Sequence, residues 1–265
     1  MSVVGKWRNE YGSILDIRSQ GPGGDLSGVY TSDTGATGTY LMSGWSPPSP
    51  SGAENRPVSA CVAWKPADSD EQDPSWNWVS IMAGVVFLDG PGAAPRLQML
   101  HGLVASTPLS AVSIDRSGVY VETLTFERLA EPADPRESVP GDLAIGPASG
   151  PAQLILTNRD SASHFQEIQL FIDADGRTQA TINLTDRVAP ARGFVDVSPA
   201  CDLRSLALSA SMEGDASQSI ALGGFIDEGR RVAVLQIFEA RVVTYQNKYT
   251  AVIASQETFS VAFGQ

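Results

Sequence analysis

Near the start of the chain, "GKWRNEYGS" (5–13) sets Asn9, Tyr11 and Ser13 at every second position. In a strand, residues so spaced share one face. If that face turns inward, an amide, a phenol and a hydroxyl meet in an enclosed space where each needs a hydrogen-bond partner. A bound ligand, or water in its absence, can supply one. The chemistry on offer is recognition, with little to support bond cleavage. His101 and His164, the two histidines, have no Cys, His or acidic residue at ligand spacing, so no metal site is expected. Gly-x-Ser-x-Gly, His-Glu-x-x-His and phosphate-loop motifs are missing, and nothing marks a carboxylate pair among the 30 acidic residues. The acidic run Asp68, Asp70, Glu71 and Asp73 reads as a solvated loop. The chain is not expected to be an enzyme or to carry a cofactor.

The elements that would position these groups are strands. Helical periodicity is nearly absent, and short runs such as "SILDI", "LSGVYTS", "GTYLMSGW" and "VSACVAW" recur between Gly, Pro and Asp clusters. The first half holds about eight, the number that closes a small barrel with room for one ligand. Residues 131–150 are rich in Pro and acids and read as a linker, and about eight further runs follow. The expectation is an all-β chain of two tandem eight-stranded antiparallel up-and-down β-barrels, over 1–130 and 151–265. Three landmarks recur in order and suggest an internal repeat: Cys61 with Cys201, Phe87 with Phe225, and Phe126 with Phe259. The two cysteines are too few for a disulfide scaffold; two buried thiols is the simplest reading, and a bridge between the halves the alternative. A net charge of −12 argues against a nucleic-acid partner, and no apolar run is long enough for a membrane helix. A soluble chain is expected, with its compartment left open.

Four stretches in order, "GKWRNEYGS", "GVYTSDTG", "VAWK" and a closing "TF", resemble the avidin and streptavidin family over roughly residues 4 to 129. The resemblance implies an eight-stranded barrel that holds biotin at one open end, as a ligand and without chemistry. It places Asn9, Ser13 and Tyr30 on the ureido oxygen, where three fixed donors aimed at one carbonyl follow the logic of an oxyanion hole. Ser32 would accept a ureido N–H, and Asp33, Thr34, Gly35 and Ala36 would form the closing loop. Trp64 would be an aromatic wall, Ser80 the hydroxyl near the thioether, and Leu103 part of the lining. Other positions depart from the family. Met82 and His101 stand for wall tryptophans, Arg116 for a Trp lent by a neighbouring subunit, and Trp78 for a hydroxyl. Leu124 replaces the polar partner of the second ureido N–H. Such losses weaken binding by on the order of 5 kcal/mol. Trp45, Trp76 and Trp78 are candidates to rebuild the box.

In the second half, Glu257 falls where the family has its acidic partner, Tyr249 where the lent Trp sits, and Phe238 near the seventh-strand Trp. "LILTNRDSASHF" offers no clear Asn–Ser pair, and no Tyr holds the third-strand position. Two readings stay open: Tyr249 or a neighbour completes the first pocket within a pseudo-dimer, or the second barrel is a degenerate structural copy, which is preferred. The functional expectation is binding of biotin or an analogue in the first barrel, with self-association through barrel–barrel contacts. The alternatives are another small ligand, or a structural role without biotin.

Overall fold

Each strand of this chain hydrogen-bonds to its neighbours in sequence, and the last strand of each set of eight returns to the first, so no edge is left open. The structure is a computed structural model; it describes residues 2–33, 38–48, 55–66, 77–89, 94–109, 113–129, 153–197, 202–210, 212 and 218–264. The first closed barrel comprises β1 (Gly5–Asn9), β2 (Ile14–Gln20), β3 (Asp25–Ser32), β4 (Gly38–Trp45), β5 (Arg56–Pro66), β6 (Val79–Phe87), β7 (Arg96–Ala105) and β8 (Gly118–Arg128). The second comprises β9 (Leu154–Asn158), β10 (Phe165–Ile172), β11 (Arg177–Leu184), β12 (Val188–Val195), β13 (Leu203–Ala210), β14 (Gln218–Asp227), β15 (Val232–Arg241) and β16 (Val252–Phe263). A short 3-10 helix, Tyr245–Thr250, precedes β16. All pairings are antiparallel, as expected for an up-and-down barrel. The expected linker, 131–150, lies outside the described residues.

Strand register allows the two barrels to be aligned residue by residue. Asn9 pairs with Phe126 and Asn158 with Phe259, so these positions correspond. Following the ladders around each barrel sets Tyr30 against Ile182, Val62 against Ala210, Ser80 against Ile220, His101 against Ile237 and Leu124 against Glu257. Gly84 and Gly224 also correspond; a Cβ at either would collide with the carbonyl of the next strand, at Gln98 and Val234. Of the three landmarks, only Phe126 and Phe259 coincide. Cys61 corresponds to Ser209 and Phe87 to Asp227, while Cys201 lies outside the described residues. Cys61 is a buried free thiol.

The barrels pack side by side through the outer faces of β5, β6, β13, β14 and β15. All nine positions of β6 are buried, one face in its own barrel and the other against the neighbour. Cys61, Ile81, Ala83, Phe194, Ala207, Ala221 and Phe238 form one apolar layer between the barrels. Gly102 leaves room for the Phe238 ring, and Ser59 Oγ lies 2.7 Å from Ser209 Oγ. The arrangement is head to tail. Tyr245, in the loop before β16, stacks edge-on against Phe87 at 5.4 Å, and Ser205 donates to the Asn77 carbonyl at the opposite end of β6.

Because the Phe238 ring is fully buried in this layer, Phe238→Ala should destabilise the whole chain by about 3–5 kcal/mol, read from urea unfolding.

Candidate ligand-binding site

The first hairpin turns at Glu10–Gly12, with Gly12 at φ +92°, a conformation that suits a residue without Cβ. This corrects the continuous alternation read from sequence. β1 ends at Asn9, Tyr11 sits on the turn and is 54% exposed, and Ser13 re-enters the barrel just before β2. Asn9 Oδ1 accepts the backbone N–H groups of Tyr11 (3.1 Å) and Ser13 (2.9 Å), closing the turn around the side chain. Those two bonds fix which amide atom is oxygen, so the NH2 group points inward, 3.5 Å from the Tyr30 hydroxyl. Asn9, Ser13 and Tyr30 are all buried. Burial pushes the Tyr30 phenol up, opposed in part by hydrogen bonding with Ser13 and Asn9, so it stays a neutral donor.

These groups lie at one end of a cavity of about 160 Å³ in the first barrel. Tyr11, Trp64, Trp78, His101 and Leu103 line it too, with Leu124. Ser32, Ser80 and Met82 are buried but do not line it. Thr34 and Gly35 lie outside the described residues, as do Ala36 and Trp76. Trp64 packs against Tyr40 (5.0 Å) and meets Trp78 edge-on (6.4 Å), so Trp78 supplies a second aromatic wall. Trp78 is held by its indole N–H, which donates to Thr107. Trp45 does not contribute: it packs into the apolar cluster of the second barrel. Arg116 is exposed and off the wall.

Two lining residues were missed from sequence, Ile114 and Glu122. Ile114 comes from the β7–β8 loop through a single bridge to Leu109, and no sequence signal marks it. Glu122 could have been found, since it precedes Leu124 by two on the inward face of β8 and pairs with His101.

His101 is the centre of a hydrogen-bonded series. Its Nδ1 lies 3.1 Å from Glu122 Oε1, and its Nε2 lies 2.9 Å from Ser80 Oγ. Trp64 Nε1 donates to the same Ser80 oxygen at 2.8 Å, and the Tyr11 hydroxyl donates to Glu122 Oε2 at 3.3 Å. A carboxylate only accepts and an indole only donates. Nδ1 therefore donates to Glu122, and Nε2 shares the second hydrogen bond with Ser80 Oγ. The bond order is that of a hydrolytic triad, but Ser80 is not on the cavity wall and its oxygen anchors Trp64. The hydrogen bond from His101 holds the Glu122 carboxyl below its usual range against the opposing effect of burial, with further help from the His101 charge and Tyr11.

A sequence model of the Avidin family matches residues 1–79. This stretch is similar to avidin-family sequence. It spans β1 to the first residue of β6, and so includes Asn9, Ser13, Tyr30 and Trp64. Among solved structures, the crystal structure of Xenavidin matches with 24% identity and a TM-score of 0.37, over 48% of this chain and 97% of that one. No curated protein matches the chain.

The second barrel has the same strand frame with a different filling. Its counterparts of Tyr30, Ser80 and His101 are Ile182, Ile220 and Ile237, and Met212 stands two residues past Ala210 as Trp64 does past Val62. These side chains join one apolar core. An Asn–Ser pair exists after all: Asn158 and Ser163 donate to Glu257 at 3.2 and 3.1 Å, so the carboxylate sits where a ligand's acceptor would. Ile237, not Phe238, occupies the position of His101, and Phe238 points into the interface. Tyr249 is 81% exposed and does not reach the first pocket, because the head-to-tail packing brings its loop to the far end of that barrel.

Since Glu122 is held low in the folded state, its bonds stabilise the protein above the ordinary carboxylate value of 4.5, and that contribution is lost as pH falls through the folded value. The stability gap between the parent and Glu122→Gln should therefore be present at neutral pH and close on acidification, measured by thermal unfolding across pH 3 to 7.

Proposed function

We propose that the chain is a non-catalytic small-molecule binding protein that takes biotin in the cavity of the first barrel. The observation that carries this reading is the convergence of three buried donors on one end of an aromatic-walled cavity: the Asn9 amide, the Ser13 hydroxyl and the Tyr30 phenol. Three donors aimed at one point suit a strongly polarised carbonyl oxygen, and a cyclic urea presents one. Because turn and barrel already hold the donors, little ordering entropy is lost on binding.

The flat rings of the ligand would lie between Trp64 and Trp78, which meet edge-on and present apolar surface to the cavity. One edge of the urea faces Leu124, which has no acceptor to offer an N–H. That loss supports an affinity below that of a site with a polar group in this place. Ser80 and His101 support the walls. The Ser80 hydroxyl carries the Trp64 indole, so a water-activating or acyl-transfer role for it is not part of this reading. The second barrel, with its apolar interior and internally paired Glu257, is read as a structural partner that covers the apolar outer face of the first.

Titration calorimetry of biotin into the full chain tests the proposal. Saturable binding at one site per chain is expected. Tyr30→Phe and Ser13→Ala should each weaken it by about 3- to 10-fold, the equivalent of one hydrogen bond. Trp64→Ala should weaken it more, about 30-fold or beyond, through lost apolar contact. Heat proportional to binding at two equal sites, or unaltered affinity in Tyr30→Phe, would overturn the assignment.

A further inference from the structure

We infer that the mouth of this cavity selects its ligand by charge, favouring a urea-headed molecule whose other end is uncharged or cationic and disfavouring one that ends in a free carboxylate. The inference rests on the binding reading above and names the ligand form that the site accepts.

Glu122 carries the argument. Its side chain is both on the cavity wall and 44% exposed, which places it at the rim, between the enclosed space and solvent. Tyr11, the other exposed lining residue, donates to it from the hairpin turn, and His101 donates from inside. These two bonds fix the carboxylate but use only part of its accepting capacity, since each oxygen offers a further lone pair. An amide N–H or an ammonium group arriving at the rim finds an acceptor already oriented toward it.

A carboxylate arriving there finds the ring N–H donors around Glu122 already committed. Both nitrogens of His101 are engaged, one by Glu122 and the other by Ser80. The Trp64 indole N–H is spent on Ser80 and that of Trp78 on Thr107. The neighbouring charges have the same sign as Glu122. Glu10, on the turn, accepts the Thr125 N–H at 3.0 Å beside Leu124, and its field raises the phenols of both Tyr11 and Tyr30. Asp33 follows Ser32 and donates its backbone N–H to Ser13 Oγ at 3.4 Å. Arg8, Lys65 and Arg116, the basic residues next to lining residues or close to them in sequence, are exposed, and none of them is recorded against Glu122. Even with a protonated His101, the His101–Glu122 pair sums to zero and presents its negative member at the rim.

The preferred ligand is thus a biotin-like urea capped at its carboxyl by an ester or amide linkage, including one attached to an amine-bearing group. Between like charges a few ångströms apart near a protein surface, repulsion changes affinity by about tenfold and is reduced by salt.

The test is titration calorimetry of the full chain with three probes: biotin, biotinamide and N-(2-aminoethyl)biotinamide. At low ionic strength the dissociation constant should fall in that order, by about tenfold from the first to the last. The gap should shrink at 0.5 M salt, as screening requires. In Glu122→Gln the three probes should bind within about twofold of one another. Equal affinities in the parent chain, or biotin as the tightest, would overturn the charge selection while leaving the binding reading intact. So would a gap that persists unchanged in Glu122→Gln. If none of the three binds, both readings fall together. Should Glu122→Gln not fold, the salt dependence of the gap in the parent decides: a gap insensitive to salt overturns the inference.

Discussion

The carbonyl oxygen of Asn9 takes two backbone N–H groups, from Tyr11 and Ser13, and the geometry of the cavity follows from that pair of bonds. They close the first hairpin, bring Ser13 back into the barrel and leave the amide NH2 as the only part of Asn9 free to face inward. Tyr30, one strand further on, meets that NH2 at the same depth. Asn9, Ser13 and Tyr30 are buried and hydrogen-bond to one another and to the Asp33 N–H, so the barrel holds a preformed polar cluster at this end of the cavity.

The second barrel shows what the same backbone does without such a demand. Asn158 and Ser163 keep the turn, but Glu257 accepts both, and isoleucines at 182, 220 and 237 fill the space that the cavity occupies in the first barrel. Strand count, register and the close-approach glycines Gly84 and Gly224 are common to both. The frame therefore tolerates either an open, polar end or a packed, apolar one, and the choice rests on a handful of inward side chains.

What joins the barrels is ordinary apolar burial. Small residues, Cys61, Ala83, Ala207 and Ala221, let the two sheets approach, and Phe238 and Ile81 fill the remaining depth against Gly102 and Gly223. Burial keeps the Cys61 thiol protonated and unreactive. Head-to-tail packing has a functional consequence, since it sends each open end away from the other. The loop carrying Tyr249 docks through Tyr245 on Phe87 and Asp89, at the closed end of the first barrel, which leaves the cavity to be built from its own chain segment.

The sequence alone determined a good deal. Short strands between turn residues and the missing helical period required an antiparallel β architecture, and two sets of eight runs implied two barrels. Asn9 and Ser13 were legible because polar side chains at inward strand positions are unusual, while Tyr30 and Glu257 were legible only through the resemblance to the avidin family. Other features depended on which residues the ladders bring opposite each other. The Phe87–Phe225 correspondence failed because the two phenylalanines stand three and one residues after the matched glycines Gly84 and Gly224, and only backbone pairing sets register in a sheet. Tyr11 sits at the rim of the cavity, half exposed, because a tight turn interrupts the two-residue period. Glu122 became a rim group, and His101 its partner, only once β7 and β8 were paired in this register. A strand's own sequence states which side chains share a face; which side chain stands across from it is decided when the neighbouring strand is hydrogen-bonded in place.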